Sequence, residues 1–148
     1  MSRPAAHAPA AHISDATRTM LESDTASSAL GIDVTRARDG EAVARLRITE
    51  QMVNGHDIAH GGYLFLLADT TFAAACNSHG PVTVASGAEI SFVTSARLGD
   101  ELVAEATERT RYGRNGIYDV TVLRETAEGR EVVAEFRGRS RTVGQITS

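Results

Sequence analysis

An apolar run from Ala59 to Cys76, AHGGYLFLLADTTFAAAC, carries a single acidic residue, Asp69, at its middle. A carboxylate in apolar surroundings is costly unless it is paired, held at the surface, or retained for chemistry. The same run opens on His60, Gly61 and Gly62. If it is helical, the glycine N–H groups lie where a helix has spare donors and the positive end of its dipole, a place suited to developing negative charge. Glycine there also lets a carbonyl approach the backbone closely. The run therefore offers acid or base chemistry at one point and anion stabilisation at another. The plain alternative for Asp69 is a structural carboxylate that caps, or pairs with an arginine, at a contact between two copies of the chain.

Other constellations offer less. His56 and His60 are four apart, but they fall in a glycine-containing loop with neither the glutamate of a zincin motif nor a third ligand, so no metal site is expected. Cys76 ends the run among alanines, and with only His79 nearby it suits a small buried side chain better than a nucleophile. All 15 basic residues are arginine, the better bidentate binder of phosphate. Arg109, Arg111 and Arg114 form one group, and Arg137, Arg139 and Arg141 another. Alternating arginines on a strand ordinarily mark its solvated face. Arg111 and Arg114, beside a glycine-rich turn, are the preferred phosphate ligands.

These residues need a scaffold. At 148 residues the chain suits one domain with a real core. The first 14 residues, MSRPAAHAPAAHIS, read as a disordered tail without a signal peptide's apolar core, leaving 15–148 as the domain. A net charge of −4 gives no reason to expect nucleic acid, and no apolar run reaches the length of a membrane span. One cysteine excludes an internal disulfide and suits a reducing cytoplasm. A helix is expected over ATRTMLESDTASSAL, capped by Ser14 or Asp15 and stopped by Gly31. A hairpin follows, turning at Asp39–Gly40, with Ala42, Ala44, Leu46 and Ile48 on its inner face.

The length of the apolar run from Gly61 to Asn77 predicts a helix buried on most sides. The remainder reads as strands joined by short turns. Tyr118, Val120 and Val122 point inward on one of them, and Val132, Ala134 and Phe136 on another. One long helix with a curved antiparallel sheet around it is an α+β arrangement.

MVNGHDIAHGGYLFLLADTTFAAACNSHG, VASGAEISFV, Gly99–Asp100, GIYDV and FRGRS together resemble the PaaI-type hotdog-fold thioesterases of phenylacetic acid degradation, over about Leu30 to Gly144. The resemblance implies a helix wrapped by an antiparallel sheet, dimers that often pair into tetramers, and hydrolysis of acyl-coenzyme A thioesters. It implies a catalytic carboxylate at Asp69, an oxyanion-binding N–H at Gly61, and polar groups shaping the same site at Asn54 and His60. Gly62, Thr70 and Ser23 are expected along the substrate, with Arg111 and Arg114 toward its phosphates. One position departs: where relatives commonly place Asn before Asp in the first helix, this chain has the shorter Ser23.

Spacing then demands a second copy. Asp69 follows Gly61 by eight residues, about 12 Å of helical rise. An aspartate cannot span that distance to a carbonyl held about 3 Å from the Gly61 N–H. An antiparallel helix from another subunit closes the gap about a two-fold axis. The expected substrates are aryl-acetyl thioesters such as phenylacetyl-CoA or its hydroxylated forms, with short aliphatic acyl groups as an alternative and no cofactor beyond the coenzyme A of the substrate. Asp69 acts either as a general base on water or as a nucleophile. Competing functions are a non-catalytic acyl-CoA sensor and, less favoured, a hotdog hydratase, because dehydratases of this fold present a different His/Asp pair.

Overall fold

A computed structural model describes residues 12–144. The expected tail therefore falls outside the described residues except at its end, where Ile13 bridges to Ala37 and the Ser14 N–H donates to the Ala37 carbonyl at 2.8 Å. The elements run α1 (Asp15–Glu22), α2 (Thr25–Leu30), β1 (Asp33–Arg38), β2 (Glu41–Arg47), a 3-10 turn (Glu50–Met52), α3 (Gly61–Asn77), β3 (Thr83–Phe92), β4 (Glu101–Tyr112), β5 (Asn115–Thr126) and β6 (Gly129–Thr142). All strand pairings are antiparallel, and the six strands lie in the order β1-β2-β4-β5-β6-β3.

The expected first helix is two helices. Ser14 caps α1, its hydroxyl accepting the Thr17 N–H at 3.3 Å. Ser23 ends α1 and Asp24 starts α2, its carboxylate accepting the Ser27 N–H at 3.0 Å. Serine and aspartate compete with the helical ladder through such local bonds, and this pair breaks what helical periodicity alone reads as continuous. Gly31 closes α2 with φ of 86°, a left-handed stop that favours glycine.

The β1–β2 hairpin turns at Asp39 and Gly40, both at positive φ, as its sequence predicts. The inner-face residues expected for β2 are buried, as are Tyr118, Val120 and Val122 of β5. In β6 the pattern differs: Val133 is buried while Val132 is only half-buried. A bulge shifts the register, with Val122 opposite Ala134 but Leu123 opposite Val132. The extra residue rotates Val133 inward, a shift that strict alternation cannot anticipate. Its carbonyl accepts the Val93 and Thr94 N–H groups at 2.8 and 3.2 Å, tying down the chain just after β3.

Helix α3 lies in the hollow of the sheet. Phe72 packs its ring 5.6 Å from Tyr118 and 5.8 Å from Phe136. Gly138 makes room, since a Cβ there would meet the Phe72 ring at 2.8 Å. From the other side the Thr17 hydroxyl donates to the Ala74 carbonyl at 2.9 Å, fastening α1 to α3. One stripe of α3 escapes burial: Gly62, Leu66, Asp69 and Ala73, at i, i+4, i+7 and i+11, stay exposed or half-buried. These positions share one helix face. Strand β3 is an edge strand whose outer side has no partner among the described residues.

Candidate active site

The donor end of α3 is built by the loop before it. Asn54 Oδ1 accepts N–H bonds from His56 at 2.8 Å and Ile58 at 3.2 Å, shaping the loop, while its amide NH2 has no partner among the described residues. The Ala59 N–H donates to Ala96 at 2.8 Å and the His60 N–H to Met52 at 2.9 Å. The chain thus enters the helix from two anchored points. His60 is the N-cap residue, exposed and without a side-chain capping bond. Its carbonyl accepts the Tyr63 N–H at 3.0 Å, whereas the Gly61 and Gly62 N–H groups find no acceptor among the described residues. These are the spare donors that a helix start leaves.

Beside them lies an apolar cleft of about 290 Å³, lined by Gly61, Leu64, Ile58 and Phe92 among others. Phe92 sets its ring over the helix start. A Cβ on Gly61 would meet that ring at 2.6 Å, while Gly62 has nothing within 4 Å. Sequence reading missed Phe92, because strand alternation says nothing about which helix turn a strand end overhangs.

Asp69 sits on the open stripe, half-buried, with no hydrogen bond or ion pair to any described residue. Burial, and after it the negative charge of Asp24, raise its carboxyl above the ordinary aspartate range. Helix α3 is unbroken between Gly61 and Asp69, so the carboxylate lies about 12 Å along the axis from the donors.

The remaining expected site residues are spread out. Thr70 is buried, its hydroxyl 2.8 Å from that of Ser27. Ser23 is exposed at the α1 C-cap. Arg111 lies toward the other end of α3, its Nε 3.4 Å from Glu108, and the exposed Arg114 meets β6 through its carbonyl, which accepts the Thr142 N–H at 2.7 Å. Cys76 is buried and its thiol is pushed up to about 12 by desolvation, which leaves it unreactive at neutral pH. Among the described residues no group of three or more His, Cys, Asp or Glu is placed to hold a metal ion, and no helix is long and apolar enough to cross a membrane.

This arrangement has known counterparts. The family model described as Thioesterase superfamily matches residues 56–129. The acyl-coenzyme A thioesterase PaaI of Escherichia coli is 43% identical over 125 residues, spanning 84% of this chain and 87% of that protein. The solved structure of the Escherichia coli PaaI protein from the phenylacetic acid degradation operon superposes with a TM-score of 0.84 at 41% identity, covering 90% of this chain and 94% of that one. A mutant of the phenylacetic acid degradation protein PaaI from Thermus thermophilus follows with a TM-score of 0.75 at 33% identity, covering 81% and 100%. The likeness spans the donor loop, the whole of α3 and the sheet around it: this chain belongs to the thioesterase superfamily, as a hotdog-fold thioester hydrolase of the PaaI type.

Proposed function

We propose that the protein hydrolyses acyl-coenzyme A thioesters in a site made by two copies of the chain, with Asp69 from one and the Gly61 N–H from the other. The observation that carries this reading is the separation, within one helix, of a carboxylate and backbone donors that have no partners among the described residues. Neither serves a thioester alone. The unpartnered edge of β3, with Val84 46% and Phe92 54% exposed, offers a ladder on which a second copy can add its own edge. That places two α3 stripes side by side, and a tetramer is a pair of such dimers.

The thioester carbonyl oxygen rests on the Gly61 N–H, with Gly62 as a second donor. In the base route Asp69 takes a proton from water, the hydroxide adds to the carbonyl carbon, and the oxyanion collapses to expel the coenzyme A thiolate, which takes up the proton. In the nucleophilic route an Asp69 oxygen attacks instead, releases the thiolate, and leaves a mixed anhydride that water hydrolyses. The raised Asp69 carboxyl supports the base route, since basicity rises with pKa. The Asn54 amide NH2 and His60, on the same loop, are the polar groups available to hold water or carbonyl. The apolar cleft beside Gly61 suits an aryl-acetyl group, in keeping with the relatives from phenylacetic acid degradation. Arg111 and Arg114 are proposed for the coenzyme A phosphates; no other cofactor enters.

Free thiol release over a panel of acyl-CoAs tests the chemistry. Asp69→Asn is expected to lower kcat roughly 100-fold or more. Equal rates would remove Asp69 from the mechanism, and tight acyl-CoA binding with no turnover by the wild type would favour a sensor. Mixing Asp69→Asn with Gly61→Ala subunits tests sharing. Each mixed dimer keeps one intact site, so random exchange restores about a quarter of wild-type activity. A mixture as inactive as its parents would sink the shared site.

A further inference from the structure

We infer that Phe92 is a specificity-determining residue: its ring stands beside the Gly61 donor and selects aryl-acetyl thioesters over saturated ones of the same outline. The placement follows from the strand. Ala88, Ile90 and Phe92 alternate along β3 and so share its inner side. Ala88 and Ile90 pack against the core, whereas Phe92, the last residue of the strand, is no part of it and is 54% exposed. The backbone there is nonetheless pinned. The Val133 carbonyl accepts the Val93 and Thr94 N–H groups, and the Thr94 hydroxyl donates to the Val132 carbonyl at 2.6 Å. A fixed strand end thus carries a large apolar side chain that the core does not use.

The ring meets the helix tip first. The atoms nearest to a Cβ placed on Gly61 are Cζ, Cε1 and Cε2, at 2.6, 3.0 and 3.2 Å, the three at the far end of the side chain. Contact through the tip leaves the ring faces to the cleft of about 290 Å³ that Phe92 lines with Ile58, Gly61 and Leu64. Those faces are open. Of the four phenylalanines, Phe65, Phe72 and Phe136 each pack against another aromatic ring, and Phe92 pairs with none among the described residues. An aromatic face is electron-rich and an aromatic edge electron-poor, so an open face takes the edge of a second ring. A thioester carbonyl held on the Gly61 N–H sends its acyl group into this apolar cleft, and an aryl-acetyl ring begins a single methylene from the carbonyl carbon. A ring that close to the donor meets the side chain that borders the donor. A saturated ring fills the same space but lacks the polarised edge. The inference rests on the proposed donor role of Gly61 and adds the residue that reads the acyl group.

Comparing phenylacetyl-CoA with cyclohexylacetyl-CoA tests it, because the two differ in their π system and hardly in outline. kcat/KM is measured for both with the wild type and with Phe92→Leu, which keeps an apolar side chain at the strand end. Phe92→Ile repeats the comparison with a residue suited to strands. Absolute rates respond to the shape of the wall; the ratio between the substrates isolates the ring. The phenylacetyl-to-cyclohexylacetyl ratio is expected to fall about 2- to 10-fold in both variants. An unchanged ratio overturns the inference, and a weaker dimer in sedimentation equilibrium alongside it would make Phe92 a subunit contact and nothing more. Gly61→Ala on the same substrates keeps the two readings apart. Undiminished turnover there would strike the donor role and this inference with it. Lost turnover there, together with an unchanged ratio in the Phe92 variants, would strike the inference alone.

Discussion

The two ends of α3 handle their polar groups in opposite ways. At the C-terminal end the Asn77 and Ser78 side chains find their partners inside the fold. The Asn77 amide donates to the Ala73 and Thr83 carbonyls at 2.9 and 3.0 Å and its oxygen accepts the Thr83 N–H at 3.0 Å. Ser78 donates to the Ala75 carbonyl at 2.6 Å and accepts the Gly40 N–H at 2.9 Å. At the N-terminal end the Gly61 and Gly62 N–H groups and the Asn54 amide NH2 have no partner among the described residues and lie beside an open apolar cleft. Satisfied polar groups fix a structure, whereas unsatisfied ones next to a cavity are available to a ligand. One end of the rod is therefore for holding and the other for use.

The sharpest way to break this contrast is to spoil the open end. Gly61→Ala places a methyl group where the Phe92 ring now sits, at 2.6 Å. The close contact is with the far end of the Phe92 ring, a side chain that can give, so the variant is expected to fold. The methyl then stands between the donor and any carbonyl, and kcat/KM for acyl-CoA is expected to fall about 100-fold with little change in Tm. Adding Phe92→Ala separates two causes. If the double variant regains activity, ring displacement was responsible; continued loss assigns the effect to the blocked donor.

At the closed end the same size of perturbation moves a different quantity. Asn77→Ala strands the Thr83 N–H and carbonyl in a buried corner, which is expected to cost about 2–3 kcal/mol in urea unfolding. Activity per folded molecule stays at the wild-type value, checked by thiol release well below the unfolding midpoint. A fall in kcat comparable to that of Gly61→Ala would abolish the distinction between the ends.

How much of this was legible in the residues follows the same division. The bounds of α3, the Asp39–Gly40 turn and the inner faces of β2 and β5 come from length and alternation, which are local signals. Asp69 stood out because a lone charge in an apolar run is costly wherever it lies, and its distance from Gly61 follows from helical rise. What escaped was non-local or depended on a one-residue choice. The bulge at Val133 alters a pattern of period two without any glycine to announce it. The break at Ser23–Asp24 carried a readable signal, an aspartate three residues before Ser27, which helical periodicity outweighed. Phe92 over Gly61, and the contacts of Glu108, join residues that only the folded topology brings together.

Glu108 gives the smallest and most conditional effect, and it bears on the closed end alone. Its carboxylate accepts from the Tyr118 hydroxyl at 2.8 Å, lies 2.7 Å from His79 Nε2, and has Arg111 at 3.4 Å. Burial pushes its carboxyl up, but the bonds from His79 and Tyr118 and the charges of His79 and Arg111 outweigh it, leaving it below the ordinary value of 4.5. A carboxyl lowered by folding stabilises the protein above the unfolded pKa, and that contribution is lost as the pH falls through the folded one. Glu108→Gln keeps the shape and removes the charge, so it is expected to lower stability at pH 7 by at most about 1 kcal/mol, because the cluster is partly solvated. The difference from wild type should shrink steadily below the ordinary carboxylate value and vanish once Glu108 is protonated in the folded state. Urea midpoints of both proteins measured between neutral and strongly acidic pH trace that convergence. A gap that stayed constant into acid would mean that Glu108 acts by packing alone, and that the closed end is held by shape rather than by charge.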